Sequence, residues 1–194
     1  LHLDADATAA RFERIMALGQ AFGSSSSTLY ANTSAVMDAD NWMRVFALNV
    51  LVGLADTYNN GLAHNIQLYV RPSDRKVLLF PWDQDHAFYY GPTASIYGAG
   101  SHRLAAIINL PINRRLYAGH LRHLCQTAFT NAFLDPVINH LNSPAVADKS
   151  QYAAPFRTYV TNRRNYVLSQ LNSQFPAVPF AITTNAGADF TVEQ

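Results

Sequence analysis

The sequence predicts a predominantly helical α+β domain, and three observations carry that prediction. Long stretches place apolar residues at the three- and four-residue spacing of an α-helix. Two short strand-like runs, IQLYV and KVLLF, flank RPSDR, whose proline and aspartate suit a turn. Of the 194 residues, 49% are hydrophobic and 14% charged. An average globular protein is about a quarter charged, so the balance excludes a disordered chain. This length can bury a sizeable core as one domain or most of one.

The elements follow in order. DADATAARFERIMALGQAF sets Phe12, Ile15, Met16, Leu18 and Phe22 at helical spacing, behind acids that favour a helix start. GSSSST reads as a loop. MDADNWMRVFALNVLVGLAD is the most apolar helix candidate, and Asp38 or Asp40 can cap it. Its apolar residues cover nearly the whole circumference, which predicts a central buried helix ending in Asp56. The two strands then form a hairpin whose turn holds Pro72 and Asp74, and Gly91 to Ser101 is a long irregular loop. Pro111 opens a long helix with Leu116, Tyr117, Leu121, Leu124, Cys125 and Ala128 on one side. A short helix follows Asp135 and Pro136. YAAPFRTYVTNRRNYVLSQLN makes the last long helix, with Phe156, Tyr159, Val160, Val167 and Leu171 inward. SQFPAVP reads as a linker and FAITTNAGADFTVEQ as the β-like start of a further module, which divides the chain into 1–175 and 176–194.

Charge and cysteine usage exclude several classes of function. A net charge of +1 gives no electrostatic basis for binding nucleic acid or an anionic membrane surface. The single cysteine, Cys125, rules out an internal disulfide and a cysteine metal cage, and reads as a small buried hydrophobe. No apolar run approaches the roughly 18 residues of a membrane helix. The chain opens at Leu1 without a signal-like segment and reads as a piece of a longer protein.

The chemistry concentrates between Asp56 and Asp85. LADTYNNGLAHNIQLY places an acid, a turn and an amide in succession, and FPWDQDHAF adds Asp83 and Asp85. Asn65 stands at the start of the first strand and Asp83 at the exit of the second, ends that an antiparallel hairpin makes neighbours. Two oxygen donors there suit Mg²⁺, which takes its remaining ligands from water and phosphate. Asp56, free of the metal, can accept a proton from a hydroxyl. Protein kinases divide the labour in this way, but with roughly five residues between acid and amide. Here the interval from Asp56 to Asn65 is nine.

The run DTYNNGLAHNIQLY … VLLFPWDQDHAF, with that longer interval, resembles the CotH kinase family of atypical, protein-kinase-like proteins. DADNWMRVFALNVLVGL is similar to the family's helix before the catalytic loop, and LPINRRLYAGHLRHL and RRNYVLSQL…PFAITTN to later segments of its multidomain bacterial members. The resemblance covers most of residues 1–180. It implies the C-terminal lobe of a kinase-like fold, with a small β-hairpin carrying the metal site, and transfer of phosphate from ATP to serine in secreted or surface proteins. By residue it implies Asp56 as the catalytic acid, Asn65 and Asp83 as metal ligands with Asp85 secondary, and Tyr58 and His64 as loop-orienting residues. ATP and Mg²⁺ or Mn²⁺ are the implied cofactors, and the implied location is extracellular or at the cell surface. A smaller lobe carrying a phosphate-gripping basic residue is expected before Leu1, and a β-rich module after the domain. No Gly-rich loop or suitable lysine occurs in this chain, Lys76 falling in the hairpin and Lys149 in a loop, so its nucleotide-binding residues are unknown. Position 77, often aromatic and able to face the adenine in the family, is Val77.

Each residue also has a plainer reading. Asp56 suits a helix end or turn, Asn65 a strand-start amide, and Asp83 and Asp85 a turn cap, while Trp82 suits the core. His120 and His123, three apart, lack a third metal ligand and read as surface histidines. Arg114/Arg115 and Arg163/Arg164 read as solvated helix charges, or as holders of phosphate or an acidic substrate. Two other classes of function stay open: a surface structural or adhesion module keeping a kinase-like shape without activity, and a metal-dependent phosphohydrolase using the same acids on water.

Overall fold

The computed structural model describes residues 9–62, 65–98 and 103–175, with side chains omitted at 9–11 and 146–148. The suggested linker and following module, 176–194, lie outside the described residues. The fold is α+β and predominantly helical. Its helices are α1 (Ala9–Phe22), α2 (Leu29–Val36), α3 (Ala39–Leu51), α4 (Arg103–Ile108), α5 (Pro111–Gln126), α6 (Asn131–His140) and α7 (Ala153–Gln174). Strands β1 (Gln67–Val70) and β2 (Val77–Phe80) form one antiparallel hairpin with Gln67 opposite Phe80 and Val70 opposite Val77.

Helix α3 is central, as its all-round apolar sequence predicts. Trp42, Met43, Val45, Phe46, Ala47, Val50 and Leu51 are all buried. It packs along α5 and also touches α7 and β2. Trp42 anchors the packing, with edge-on ring contacts to Phe22 at 5.5 Å and Phe46 at 5.9 Å. Such pairs add roughly 0.5–1.5 kcal/mol to the burial itself. The indole nitrogen donates to the Val77 carbonyl at 2.8 Å, while the Asn41 side-chain oxygen accepts from the Leu79 amide at 2.7 Å. A two-stranded hairpin is marginal alone. These bonds to α3, with the buried side chains of Val77 and Leu79, fix it in place. Asp38 caps α3 by accepting from the Asn41 amide at 3.1 Å, whereas Asp40 pairs with Arg44 and with His120, both at 2.7 Å. His120 is therefore a half-buried hydrogen-bond partner tying α5 to α3 and not a free surface histidine.

Several sequence expectations are corrected. Helix α2 occupies a stretch with no helical pattern in its serine, threonine and asparagine residues. Leu29 and Val36 are buried, and the Thr33 hydroxyl bonds back to the Leu29 carbonyl at 2.6 Å, so packing overrides propensity. Helix α4 was not predicted either; its buried Leu104, Ile107 and Ile108 pack on the core. Helix α3 stops at Leu51, five residues before Asp56, because Gly53 turns left-handed (φ 62°). A Cβ there would lie 2.3 Å from the Tyr159 hydroxyl oxygen. Helix α6 begins at Asn131, ahead of Asp135, because the Thr130 hydroxyl accepts from the Phe133 amide at 3.2 Å and caps it. Phe12 and Met16 of α1 face outward, with Met16 65% exposed, while Leu18, Ala21 and Phe22 are buried in the core and Ile15 and Ala17 pack against it. Among the described residues no helix is long and apolar enough to cross a membrane.

Candidate active site

The segment from α3 to β1 is held by hydrogen bonds from three directions. Residues after β2 return beside it: the Phe88 amide donates to the Val52 carbonyl at 2.6 Å, Tyr90 to Gly53 at 3.1 Å, and Ala55 to His86 at 3.3 Å. The Ala55–His86 bond brings the chain at Asp56, one residue on, beside the chain at Asp85, one residue back. Beneath the loop, Asn49, Thr57 and Asn59 form a buried triangle of side-chain hydrogen bonds at 3.1, 3.2 and 3.1 Å. A single helical turn over Tyr58–Asn60 closes at Gly61 (φ 86°), and the Asn60 amide donates at 2.8 Å to the carbonyls of both Leu54 and Ala55.

Asp56 and Asn65 meet directly. The Asn65 side-chain amide donates to the Asp56 carbonyl at 2.9 Å and to its carboxylate Oδ2 at 3.1 Å. Both side chains are half-buried. With its NH₂ end committed to Asp56, the amide leaves Oδ1 as the end able to meet a cation.

Asp83 stands at the same end of the hairpin. Gln67 pairs with Phe80, so Asn65 lies two residues outward on one strand and Asp83 three on the other (67 − 65 and 83 − 80). Asp83 and Asp85 are exposed, and neither bonds to the Asp56–Asn65 pair among the described residues. Asn65 (φ 52°) and Asp83 (φ 50°) are both in the left-handed region, as is Phe88 (φ 64°). Asn and Asp tolerate that conformation; for a bulky phenylalanine it is an outlier. Ring contacts of Phe88 with Phe156 at 4.9 Å and Tyr159 at 5.0 Å over-determine it.

Tyr58 is half-buried, and burial pushes its hydroxyl above the usual tyrosine range. His64 lies outside the described residues. No group of three or more His, Cys, Asp or Glu side chains that could hold a metal occurs among the described residues. The available donors are thus an amide and separate carboxylates, a set that suits an ion completing its shell with water and phosphate and does not suit an all-protein cage.

Two readings change in the structure, those of Trp82 and of the paired arginines Arg163/Arg164, while Val77 keeps its reading as a departure from the family's aromatic. Trp82 is 54% exposed, since the hairpin ends at Phe80 and the chain beyond leaves the core. Val77 is fully buried, and its carbonyl accepts from the Trp42 indole of α3. Arg163 is buried, at 1% exposure, and donates to the carbonyls of Val50, Pro92, Ala94 and Ser95 at 2.9, 3.1, 2.5 and 3.3 Å. Arg164 bonds the Cys125 carbonyl at 2.6 Å.

Sequence reasoning missed the supports of the loop. Asn49 carried a usable signal, a lone amide inside an otherwise apolar helix, since a buried amide needs partners. Arg163 carried none, because a paired arginine on a helix looks the same buried or solvated.

No curated protein matches the chain. The CotH kinase protein family matches residues 4–146, which takes in α3, the loop, the hairpin and Asp85. With about three quarters of its length matched and the Asp56–Asn65 pair at the mouth of the hairpin, the chain belongs to the CotH kinase family.

Proposed function

We propose that this protein is a Mg²⁺- or Mn²⁺-dependent phosphotransferase that moves the γ-phosphoryl group of ATP to a serine of a secreted or surface protein. The observation that carries the reading is the two-point bond from Asn65 to Asp56, which couples a proton acceptor to a metal-type donor across nine residues. The left-handed backbone at Phe88, whose amide bonds the Val52 carbonyl just before the loop, adds to it, because such strain concentrates at functional sites.

In the proposed reaction the serine oxygen attacks the γ-phosphorus, Asp56 takes the hydroxyl proton, and the bond to the β-phosphate oxygen breaks to release ADP. Asn65 and Asp83 would hold the metal ion with help from Asp85, and the bound ion would neutralise phosphate charge. Tyr58 and His64 would set the loop. Lys76 is tied to the Ser34 carbonyl within this chain, and Lys149 stands outside the site, so the grip on the nucleotide would come from an upstream lobe.

We assign residues 1–175 to the kinase-like domain, because α7 packs on α3, α5 and α6 and its Arg163 bonds the last turn of α3. The test is transfer of label from γ-labelled ATP to casein-like acceptors by the intact protein, with and without Mg²⁺ or Mn²⁺, beside Asp56→Ala. Metal-dependent labelling lost in the variant is the expected result. Equal labelling by both proteins would remove Asp56 from the mechanism, and phosphate release without acceptor labelling would make the protein a hydrolase.

A further inference from the structure

Helices α5 and α7 carry six arginines and no aspartate or glutamate. The imbalance runs wider: residues 103–175 hold eight lysines and arginines against two acids, and residues 1–102 six against nine. Such one-sided charge, on a chain of net charge +1, marks a surface for an anionic partner. Four of the six arginines are engaged within the fold. Arg157 pairs with Asp135, and Arg163 and Arg164 bond main-chain carbonyls. Arg114 lies against the Tyr97 and Phe175 rings at 5.7 and 5.4 Å.

Arg115 and Arg122 are left, and both line a groove of about 460 Å³ between α5 and α7. Ala118, Gly119, Leu171 and Phe175 give the groove an apolar wall, and no carboxylate lines it. Arg115 is exposed and makes no hydrogen bond or ion pair among the described residues. Arg122 is half-buried and donates to the Asn172 side-chain oxygen at 3.1 Å. The acid that meets α5, Asp40, does so at His120 and is shared with Arg44. A Cβ at Gly119 would meet no heavy atom within 4 Å, so the middle of α5 is open to a close neighbour.

Spacing selects the shape of that neighbour. Arg115, Gly119 and Arg122 stand at i, i+4 and i+7 on one face of α5, which sets the two arginines about 10 Å apart along the axis. A helix laid along the groove places carboxylates at its own i and i+7 at the same separation. Its i+3 or i+4 side chain then falls between them, over Ala118, Gly119 and Leu171. An extended strand sets same-face carboxylates about 7 or 13 Å apart, and neither matches.

We infer that the α5–α7 groove docks an acidic amphipathic helix of a partner protein, its two carboxylates on Arg115 and Arg122 and an apolar side chain over Gly119. Rim charges of this kind set orientation and encounter rate, and the apolar contact supplies the hold. Asp56, Asn65, Asp83 and Asp85 do not line the groove, and the docking does not depend on the phosphotransfer reading.

The test uses the intact protein and a fluorescent alanine-rich peptide of about 20 residues, long enough to form helix. Two glutamates seven positions apart flank a leucine, and anisotropy is titrated at physiological salt. The expected result is saturable one-to-one binding. Arg115→Gln/Arg122→Gln should weaken it at least tenfold. Gly119→Leu should do the same by filling the open space, and it folds because leucine is the better helix former. Arg75→Gln, at an exposed arginine outside the groove, should leave binding unchanged. A central proline in the peptide should weaken binding at least tenfold. No saturable binding, unchanged binding by Gly119→Leu, equal binding of the proline peptide, or loss of binding in Arg75→Gln overturns the proposal. Displacement by an equimolar single-stranded oligonucleotide also overturns it, by making the face a general polyanion site. Self-association abolished by the same substitutions would give the groove to a second copy. Binding seen only after Asp189→Asn/Glu193→Gln would give it to the chain's own end, and either result rejects a separate partner.

Discussion

Asn65 holds Asp56 at two points, the main-chain carbonyl at 2.9 Å and the carboxylate at 3.1 Å, from a backbone in the left-handed region. Backbone conformation and side-chain chemistry can therefore be separated at this position. Asn65→Gly keeps the turn and removes the amide, so it should fold with near wild-type stability while losing metal-dependent transfer. Asn65→Ala should lose the same activity and also about 1 kcal/mol of stability, since an alanine strains at positive φ. Activity assays beside urea denaturation check both. An active glycine variant would remove Asn65 from the metal site.

Asp83 is exposed, and its replacement should cost little structurally. Asp83→Asn is expected to change unfolding free energy by less than about 0.5 kcal/mol in metal-free buffer. The wild type is expected to gain stability from Mg²⁺ plus nucleotide, and the variant to show no such gain. Thermal unfolding with and without the metal–nucleotide pair measures the difference, and an unchanged shift in the variant would refute the assignment.

Arg163 joins α7 to the last turn of α3 and to the 92–95 segment. Arg163→Met fills similar volume but strands carbonyls, and should destabilise by about 2–4 kcal/mol. Chemical denaturation reads the loss directly. A change within experimental error would mean that water replaces the guanidinium without penalty.

Trp42 secures the hairpin through its indole N–H. Trp42→Phe should cost about 1–2 kcal/mol, because the Val77 carbonyl keeps its bond from the Asp38 amide at 3.1 Å and only one of its two donors is lost. The loss should appear first as faster amide exchange at Leu79, whose hydrogen bond lies next to the one removed. Uniform acceleration across α5 and α7 instead would assign the effect to core packing.

Burial pushes the Cys125 thiol up to about 11 from the ordinary value of 9.0. A group whose folded pKa is raised keeps its full contribution below the unfolded value and loses it as pH rises. Stability should therefore fall between pH 9.0 and about 11, and Cys125→Ala should flatten part of that decline. Part of the remaining slope belongs to Tyr58, Tyr117 and Tyr159, whose hydroxyls burial also raises. Denaturation midpoints across that range test the point; identical slopes in wild type and variant would contradict it.

Much of this molecule was legible in its residues. The central helix follows from an apolar surface that closes round the circumference, which only a buried position tolerates. The hairpin follows from two strand runs around a turn, and the run DTYNNGLAHNIQLY … FPWDQD, with its long acid–amide interval, marked the family that residues 4–146 match. The left-handed positions were less visible, because nothing in a sequence announces that Asn65 or Phe88 will be held there.

The sequence by itself determined the central helix, the hairpin and the chemical identity of the residues at its mouth, since periodicity, turn residues and motif spacing are local properties. Only the tertiary structure decided where α3 ends, that Leu29–Val36 is helical, and that Arg163 is buried against four carbonyls. Those outcomes depend on partners from 39 to 113 residues away in the chain, such as the Val77 carbonyl for the Asp38 amide after α2 and Val50 for Arg163, and pairwise contact at that separation leaves no pattern in a single sequence.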